Sequence, residues 1–225
     1  MMNKPQNTAK WICVIDFDGT ISRIDVIDGL LQRYGDESLW QPLEGAWLNG
    51  EISSDDCMSR QLNTISVKPA ELEQYINSIE LDSGFDDLVR YLDEAKMPLL
   101  ILSDGFDYFI ERILKKHDLG HVQYKSNHLS FDGKQFTPEF PYKHAICKKC
   151  ANCKRRAIQI LRPEYEKIIF VGDGLSDCCA IDEADIVYAK ARLAQFCLEK
   201  KRVFTPYSNL DDVLNDIKKL VKTPI

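Results

Sequence analysis

Short apolar runs alternate along this chain with stretches of helical periodicity. Three runs, at residues 11–16, 97–102 and 167–171, are rich in aliphatic side chains and end abruptly in acidic, serine or glycine residues. Weaker runs cover 185–189 and 202–205. Helical patterns lie between or after the runs, over residues 85–95, 106–116, 154–161, 193–200 and 210–221. This alternation predicts a three-layer, doubly wound α/β fold of the Rossmann-like type, with a mostly parallel sheet.

Residues 21–82 depart from this alternation, because they show helical periodicity and no convincing strand. Asp25 or Asp28 is a candidate N-cap of the first helix, and Pro69 fits the first turn of a later one. A connection of this length is too long for a simple crossover between strands. We therefore predict an inserted helical cap at 22–83 and a catalytic core formed by 1–21 and 84–225.

The first apolar run ends in Asp16-Phe17-Asp18-Gly19-Thr20. Strand alternation turns Asp16 and Asp18 to the same side, where the two carboxylates repel unless a cation separates them or one is protonated. A magnesium ion, which takes carboxylate and phosphate oxygens as ligands, would relieve the repulsion. One carboxylate can then attack phosphorus while the other transfers protons. An acidic turn that caps a helix is the alternative interpretation.

Two further strand ends carry polar residues. Ser103-Asp104-Gly105 offers a hydroxyl and backbone N–H groups just before a helix, which is typical of an anion site. Asp173 lies between two glycines, and Asp177 follows one turn later. A plain helix cap or an acidic loop would explain each motif taken alone. Ligands of doubly wound sheets bind beyond the carboxyl ends of the strands, so the three ends together predict a phosphoryl-transfer site.

The order of these motifs resembles that of the haloacid dehalogenase superfamily of phosphatases over nearly the whole chain. The shared series is Asp-x-Asp-x-Thr, a strand-end Ser, a Lys, and Gly-Asp-Gly-x-x-Asp. The resemblance implies that Asp16 is the nucleophile and that Asp18 is the acid/base. It implies phosphate binding by Thr20, Ser103, Asp104, Gly105 and Lys154, and Mg²⁺ binding by Asp16, Asp18 (through its carbonyl) and Asp173, with Asp177 supporting these ligands from behind.

The superfamily's lysine is expected at the start of the helix that precedes the Gly-Asp-Gly-x-x-Asp motif. Lys154, which opens the pattern at 154–161, fits this position best. Lys148 and Lys149 are the nearest alternatives, in a stretch that we interpret as a loop. A cation at this position would offset charge on the phosphoryl oxygens. A solvated lysine at a helix start is the alternative interpretation.

The helical insert resembles that of the subgroup containing phosphoserine phosphatase. Residues 103–107 are similar to its Ser-Gly-Gly-Phe-Asp, with Asp104 in place of the first glycine. Ser126-Asn127-His128 and a cysteine-rich approach to Lys154 are more similar to bacterial methionine-salvage phosphatases, which act on 2-hydroxy-3-keto-5-methylthiopentenyl-1-phosphate. Phosphocholine and phosphoethanolamine phosphatases are further relatives.

Three residues are candidates for substrate contacts by this resemblance. Asp25 occupies the place of an acidic residue that contacts the amino group in phosphoserine phosphatases. Arg60 lies near the position of their carboxylate-binding arginine, and Asn127 belongs to the motif shared with the methionine-salvage branch. A helix cap at Asp25 and a solvated arginine at Arg60 are the alternatives.

A cysteine cluster precedes the predicted lysine. His144, Cys147, Cys150 and Cys153 supply four soft ligands, which is enough for a tetrahedral zinc site. Consecutive Cys-x-x-Cys units share a cysteine, however, and leave little room to surround one ion. A set of reduced thiols in a loop, or a disulfide formed on oxidation, is the favoured interpretation, and any zinc would have a structural role.

Composition narrows the partners. The 225 residues are 44% hydrophobic and 28% charged, which is ordinary for a folded protein. A net charge of −6 favours neither nucleic acid nor an anionic membrane as partner. We find no apolar stretch long enough to span a membrane and no signal peptide, so we expect a cytoplasmic enzyme that acts on a small-molecule phosphate ester. A non-catalytic protein that binds phospho-ligands or zinc is the alternative class, and the sequence leaves the oligomeric state open.

Overall fold

The computed structural model describes residues 10–144 and 150–222. Within these ranges seven strands form one sheet of order β4-β3-β2-β1-β5-β6-β7. Every neighbouring pair is parallel except β3 and β4. The strands are β1 Trp11–Ile15, β2 Leu99–Phe106, β3 Gln123–Phe131, β4 Phe136–Glu139, β5 Lys167–Gly172, β6 Ile186–Ala189 and β7 Thr205–Pro206. The predicted α/β class with a mostly parallel sheet is confirmed.

Helices cover both faces of this sheet. They are α1 Val26–Tyr34, α2 Glu37–Leu48, α3 Ser54–Leu62, α4 Pro69–Ser78, α5 Phe85–Glu94, α6 Asp107–Lys116, α7 Lys154–Leu161, α8 Ala191–Glu199 and α9 Leu210–Lys222. Strand β1 is buried along its whole length: Cys13 and Ile15 belong to one apolar cluster, and Ile12 and Val14 to a second. A strand buried on both faces needs no polar alternation, which explains the continuous apolar run in the sequence.

Helices α1 to α4 form the insertion between β1 and α5. The side chain of Asp25 starts α1 by accepting hydrogen bonds from the backbone N–H groups of Ile27 and Asp28 at 2.9 and 3.0 Å. A bridge between Ser22 and Leu81 brings the two ends of the insertion together. The chain therefore leaves and re-enters the core at one place. This geometry is compatible with a cap at 22–83, and the division itself stays a prediction.

Several elements extend beyond their predicted limits. Strand β2 continues past Leu102 to Phe106, with an irregularity in its pairing to β3 between these two residues. The break in regular pairing lies at 103–105, where the polar motif stands. Strand β7 has two residues, Thr205–Pro206, instead of the predicted run at 202–205. In the part of the chain that the structure describes, no helix is long and apolar enough to cross a bilayer, and a cytoplasmic location stays a prediction.

Candidate active site

Three carboxylates from two strand ends meet at one edge of the sheet. Asp16 follows β1, Asp173 follows β5, and Asp177 lies in a short 3-10 helix after Asp173. Pairing of Ile15 with Val171 holds the two strand ends side by side. One oxygen from each carboxylate lies within 4.8 Å of the others. The topology thus joins two motifs that are far apart in the sequence.

Lys154, the first residue of α7, ties this acidic cluster together. Its ammonium lies 2.6 Å from Oδ1 of Asp16 and 2.6 Å from Oδ1 of Asp177. It also donates a hydrogen bond to Oγ of Ser176 at 3.2 Å. The side chain is 1% exposed. Burial alone would lower the pKa of Lys154, but the Asp16 and Asp177 carboxylates raise it overall, so the lysine stays charged.

The acidic cluster fits a hard divalent cation. Burial and the charge of Asp177 raise the pKa of Asp16 well above its usual range, against the opposing effect of Lys154. Burial also raises the pKa of Asp173. Carboxylate oxygens crowded in this way are costly to keep charged unless a cation lies among them, and oxygen is the ligand that Mg²⁺ prefers. Asp16 and Asp173, with Asp177 beside them, therefore supply carboxylates suited to such an ion.

Asp18 points away from this cluster and toward the end of β2. Its Oδ2 accepts a hydrogen bond from the Ser103 hydroxyl at 3.1 Å, and its Oδ1 accepts one from the backbone N–H of Val26 at 3.0 Å. The Ser103 oxygen in turn accepts from the backbone N–H of Gly105 at 2.8 Å. Burial, followed by the negative charge of Asp25, raises the pKa of Asp18 to about 8. A carboxyl group in this environment holds a proton more readily than an ordinary aspartate.

Two glycines permit the close approach of these loops. Gly19 has a φ of +71°, and a Cβ atom there would lie 2.6 Å from Oδ2 of Asp173. A Cβ atom at Gly105 would lie 2.6 Å from Oδ2 of Asp18. A larger residue at Gly19 would displace the carboxylate of Asp173, and one at Gly105 would displace that of Asp18.

Thr20 contacts a carboxylate directly. Its hydroxyl donates to Oδ1 of Asp173 at 2.6 Å and lies 3.4 Å from the hydroxyl of Tyr207. Tyr207 donates a hydrogen bond to the backbone oxygen of Gly172 at 3.2 Å, so it helps to hold the loop that carries Asp173. Tyr207 could not be predicted as part of the site, because a lone tyrosine after a weak strand carries no local signal.

Asp104 belongs to β2 and lines the cavity at this edge, and Asn127 belongs to the neighbouring strand β3. The Asp104 carboxylate accepts hydrogen bonds from the backbone N–H of Asn152 at 2.5 Å and from the Ser54 hydroxyl at 3.1 Å. Asn127, which is fully buried, donates from its amide to the backbone oxygen of Asp104 at 2.6 Å. The carboxylate of Asp104 is thus engaged with protein donors, and a phosphate anion would find donors in the backbone here and not in that side chain.

A cavity of about 430 Å³ opens between this edge and the inserted helices. Its core side carries Asp16, Asp18 and Asp173, and its opposite wall carries Asp25, Asp28 and Glu44 together with apolar side chains such as Ile24, Trp47 and Met58. We call Asp25, Asp28 and Glu44 the acidic wall. Arg60 does not line the cavity: it is exposed and pairs with Asp56 at 3.4 Å.

Of the residues in the acidic wall, only Asp25 was predicted from the sequence as a substrate contact. Two basic residues of the cavity were not predicted either. Lys190 and Arg192 line the cavity beside Asp173, at the end of β6. Burial, Asp25 and Glu44 raise the pKa of Asp28 to about 7, and Arg192 opposes the rise. Motif spacing could not reveal these residues because they lie on different helices and loops.

Part of the predicted cysteine cluster lies outside the described residues. Cys147 is one such residue, as are the alternative lysines Lys148 and Lys149. Cys153 is the N-cap residue of α7, and its backbone N–H donates to the oxygen of Tyr142 at 3.2 Å. A zinc site with His144, Cys147, Cys150 and Cys153 stays a prediction.

Residues 11–202 match the model of a protein family that is described as "Putative Phosphatase". The chain belongs to this family. The 2-hydroxy-3-keto-5-methylthiopentenyl-1-phosphate phosphatase of Lysinibacillus sphaericus is 30% identical over 224 residues, which cover 95% of this chain and 96% of that one. The phosphatase of the same name from Bacillus cereus is 26% identical over 211 residues, covering 92% of this chain and 95% of that one.

Solved structures share the fold of this family member. A HAD family hydrolase from Salmonella enterica serovar Typhi has a TM-score of 0.72 at 18% identity, covering 95% of this chain and 72% of that one. A phosphoserine phosphatase with an analogue of its phospho-aspartyl intermediate has a TM-score of 0.69 at 21% identity, covering 92% and 97%. The family match and the curated relative confirm the predicted phosphatase, and the solved structures share the predicted fold. The alternative of a non-catalytic binding protein is not supported.

Proposed function

We propose that this phosphatase hydrolyses a small-molecule phosphomonoester with Asp16 as the nucleophile and Mg²⁺ as the cofactor. One observation carries the proposal: Asp16 and Asp173, from two separate strand ends, belong to one acidic cluster and line one cavity. Lys154 contacts the same cluster at 2.6 Å. Carboxylates and a buried cation in one crevice are the groups that phosphoryl transfer needs.

The reaction takes two steps that share one proton carrier. A carboxylate oxygen of Asp16 attacks phosphorus, the bond from phosphorus to the substrate oxygen breaks, and Asp18 gives that oxygen its proton. Asp18 then accepts a proton from a water molecule as the water attacks the aspartyl phosphate, which releases inorganic phosphate and regenerates Asp16. The hydrogen bond from Ser103 to Asp18 supports this assignment, because it holds the proton carrier beside the predicted phosphate site.

Other residues would hold the cation and the phosphoryl group. Asp16, Asp173 and the backbone carbonyl of Asp18 would hold Mg²⁺, which when bound supplies positive charge beside the phosphoryl oxygens. Lys154 adds a fixed positive charge. Asp177 accepts hydrogen bonds from the backbone N–H groups of Asp173 and Gly174, both at 3.1 Å, and so fixes the loop that carries Asp173.

The first substrate to test is 2-hydroxy-3-keto-5-methylthiopentenyl-1-phosphate, the compound in the names of the curated relatives. The cavity lining supports this choice. Ile24, Trp47 and Met58 offer apolar and sulfur contacts suited to a methylthioalkyl chain. Helices α1 to α4 would then act as a cap at 22–83 that encloses the chain beyond the phosphate.

An amine-bearing phosphomonoester is a second candidate, because of the acidic wall. Asp25, Asp28 and Glu44 would meet the part of the substrate that lies beyond the phosphate, and a cationic group would relieve their mutual repulsion. Phosphoethanolamine, phosphocholine and phosphoserine belong to this class. Arg60 does not line the cavity as the carboxylate contact expected for phosphoserine.

A substrate screen with and without Mg²⁺ tests both levels of the proposal. Purified protein is assayed for phosphate release from the methionine-salvage ester, from the three amine-bearing esters and from p-nitrophenyl phosphate. We expect activity that EDTA abolishes and Mg²⁺ restores, with kcat/KM for one physiological ester at least about 10²-fold above that for p-nitrophenyl phosphate. Activity that is indifferent to EDTA would contradict the metal assignment, and equally slow turnover of all esters would contradict both substrate choices.

A further inference from the structure

Asp104 stands at the position where the similar motif of phosphoserine phosphatases has a glycine, and its carboxylate joins three parts of the molecule. Oδ1 accepts a hydrogen bond from the backbone N–H of Asn152 at 2.5 Å, just before helix α7. Oδ2 accepts a hydrogen bond from the hydroxyl of Ser54, the first residue of α3, at 3.1 Å. The residue itself belongs to β2. A glycine at this position offers neither acceptor.

The hydrogen bond from Asn152 to Asp104 holds the segment that leads into Lys154. The side-chain amide of Asn152 donates to the backbone oxygen of Ser103 at 2.9 Å and to that of Lys125 at 3.1 Å. The backbone oxygen of Asn152 accepts from the backbone N–H of Lys154 at 2.9 Å. The segment is therefore attached to β2 and β3 directly before α7 begins. A shift of this segment would displace the ammonium of Lys154 from Asp16.

The hydrogen bond from Ser54 to Asp104 attaches the inserted helix α3 to strand β2. Ser54 is buried at the start of α3, and the next residue, Asp55, pairs with Lys143 of the core. Helix α3 also carries Met58 and Gln61, which line the cavity. The position of these lining residues relative to the strand ends therefore depends on the start of α3, where Asp104 is the core partner of Ser54.

We propose that Asp104 is a positioning residue that holds the start of α3 and the segment before α7 against the end of β2. Through these two contacts it sets Lys154 opposite Asp16 and sets the cap-side lining opposite the strand ends. This inference rests on the proposed function, because it assigns Asp104 an effect on turnover through residues of that site. Asp104 lines the same cavity, but both of its carboxylate oxygens accept hydrogen bonds from Asn152 and Ser54, so we assign it no contact with the reacting atoms.

The test compares Asp104→Gly, Asp104→Ala and Asp104→Asn in the full chain, with p-nitrophenyl phosphate and saturating Mg²⁺. We expect the glycine and alanine variants to lose about 10²-fold in kcat, because a displacement of about 1 Å at a reacting centre has this effect. Asparagine keeps one acceptor oxygen, so kcat should return to within about fivefold of the wild type. The far-UV spectrum and the thermal midpoint are recorded for every variant, so that loss of fold is recognised.

A double-mutant cycle with Ser54→Ala separates the two contacts. We expect Ser54→Ala alone to raise KM by about threefold to tenfold with little change in kcat, and to add no further effect in the Asp104→Ala background. Asp132→Ala is the matched control: Asp132 also accepts two backbone N–H bonds, from Lys134 and Gln135, but lies in an exposed turn. The control should match the wild type within about twofold.

Two outcomes would overturn the proposal. The first is a folded Asp104→Gly variant with kcat within about twofold of the wild type, and the second is an Asp104→Asn variant as impaired as Asp104→Ala. If the glycine variant does not fold, the asparagine variant and the Ser54 cycle give the answer. An active Asp16→Asn variant would instead contradict the proposed function, so the two failures are distinguishable.

Discussion

The buried acidic cluster (Asp16, Asp173 and Asp177) and the acidic wall of the same cavity both consist of carboxylates, but their negative charges are balanced in different ways. Asp16 and Asp177 each contact Lys154 at 2.6 Å, and Asp177 accepts backbone N–H bonds as well. In the acidic wall, Asp28 faces the negative charges of Asp25 and Glu44, and burial together with this repulsion raises its pKa to about 7.

This difference indicates that the two regions have different roles, one in the reaction and the other in substrate recognition. The cluster is held in place by internal ion pairs and hydrogen bonds, so its geometry exists before a substrate arrives. The acidic wall keeps like charges close together, and a cationic ligand that relieves their repulsion would gain affinity. We infer that residues at the strand ends determine which reaction occurs and that residues on the inserted helices determine which ester undergoes it.

Asp16→Asn should have the largest effect. An amide at this position is a poor nucleophile, so we expect kcat to fall by about 10³-fold or more. Because asparagine is nearly isosteric, the circular dichroism spectrum should match that of the wild type. The measurement is phosphate release from p-nitrophenyl phosphate, with Asp132→Asn as the matched control in an exposed turn. Substantial residual turnover would contradict the nucleophile assignment.

Lys154→Met tests whether the positive charge of Lys154 stabilises the buried carboxylates of the cluster. The change leaves Asp16 and Asp177 buried without their shared cation, which is expected to lower the free energy of unfolding by about 3–5 kcal/mol. Urea denaturation at neutral pH measures it. Arg90→Met, which removes an exposed cation that pairs with Asp86 and Asp87, is the control and should cost less than about 1 kcal/mol. Equal costs for the two variants would contradict the distinction between a buried and an exposed ion pair.

Neutralising the acidic wall should affect recognition more than chemistry. We expect Asp28→Asn combined with Glu44→Gln to raise KM for phosphoethanolamine by about tenfold, because the variant removes two charges that face a cationic substrate. The KM for p-nitrophenyl phosphate should change by less than about threefold. Steady-state kinetics with both esters measures the difference. An equal change for both would show that the wall does not distinguish a cationic leaving group.

The smallest effect is expected at an ion pair that does not line the cavity. His128 Nδ1 lies 2.6 Å from Oδ2 of Asp107, and this hydrogen bond and charge raise the pKa of His128. The contribution to stability is complete below the unfolded-state pKa of about 6.5 and is lost as the pH rises through the higher folded-state pKa. Solvent screening limits it to less than about 1 kcal/mol. Urea denaturation of the wild type and of His128→Gln, at about pH 5.5 and about pH 8.5, should show this difference only at the lower pH.

Much of the fold and of the candidate site could be predicted because parallel strands buried on both faces are apolar until they end. Asp16, Ser103 and Asp173 therefore stand out at the ends of apolar runs. Lys154 could be predicted as a helix start, and α7 begins there. Local signals suffice for these residues because the chemistry and the end of the strand coincide in the sequence.

Other features gave no comparable signal. The start of β3 gave no signal because Gln123, Lys125 and Ser126 are polar and do not form an apolar run. Strand β2 was predicted to end before Ser103, since a register irregularity cannot be read from side-chain pattern. Tyr207 supports Thr20 through a contact between residues remote in the sequence.

By itself, the sequence determined the α/β class, the order of the motifs and the chemical character of each strand end. These follow from local physical chemistry: the period of apolar residues, the turn after a strand, and the need of adjacent carboxylates for a cation. Only the tertiary structure decided that Lys154 pairs with both Asp16 and Asp177, that Asp104 links the core to Ser54, and that Arg60 lies outside the cavity. Such distances depend on how strands and helices pack, and no local pattern records them.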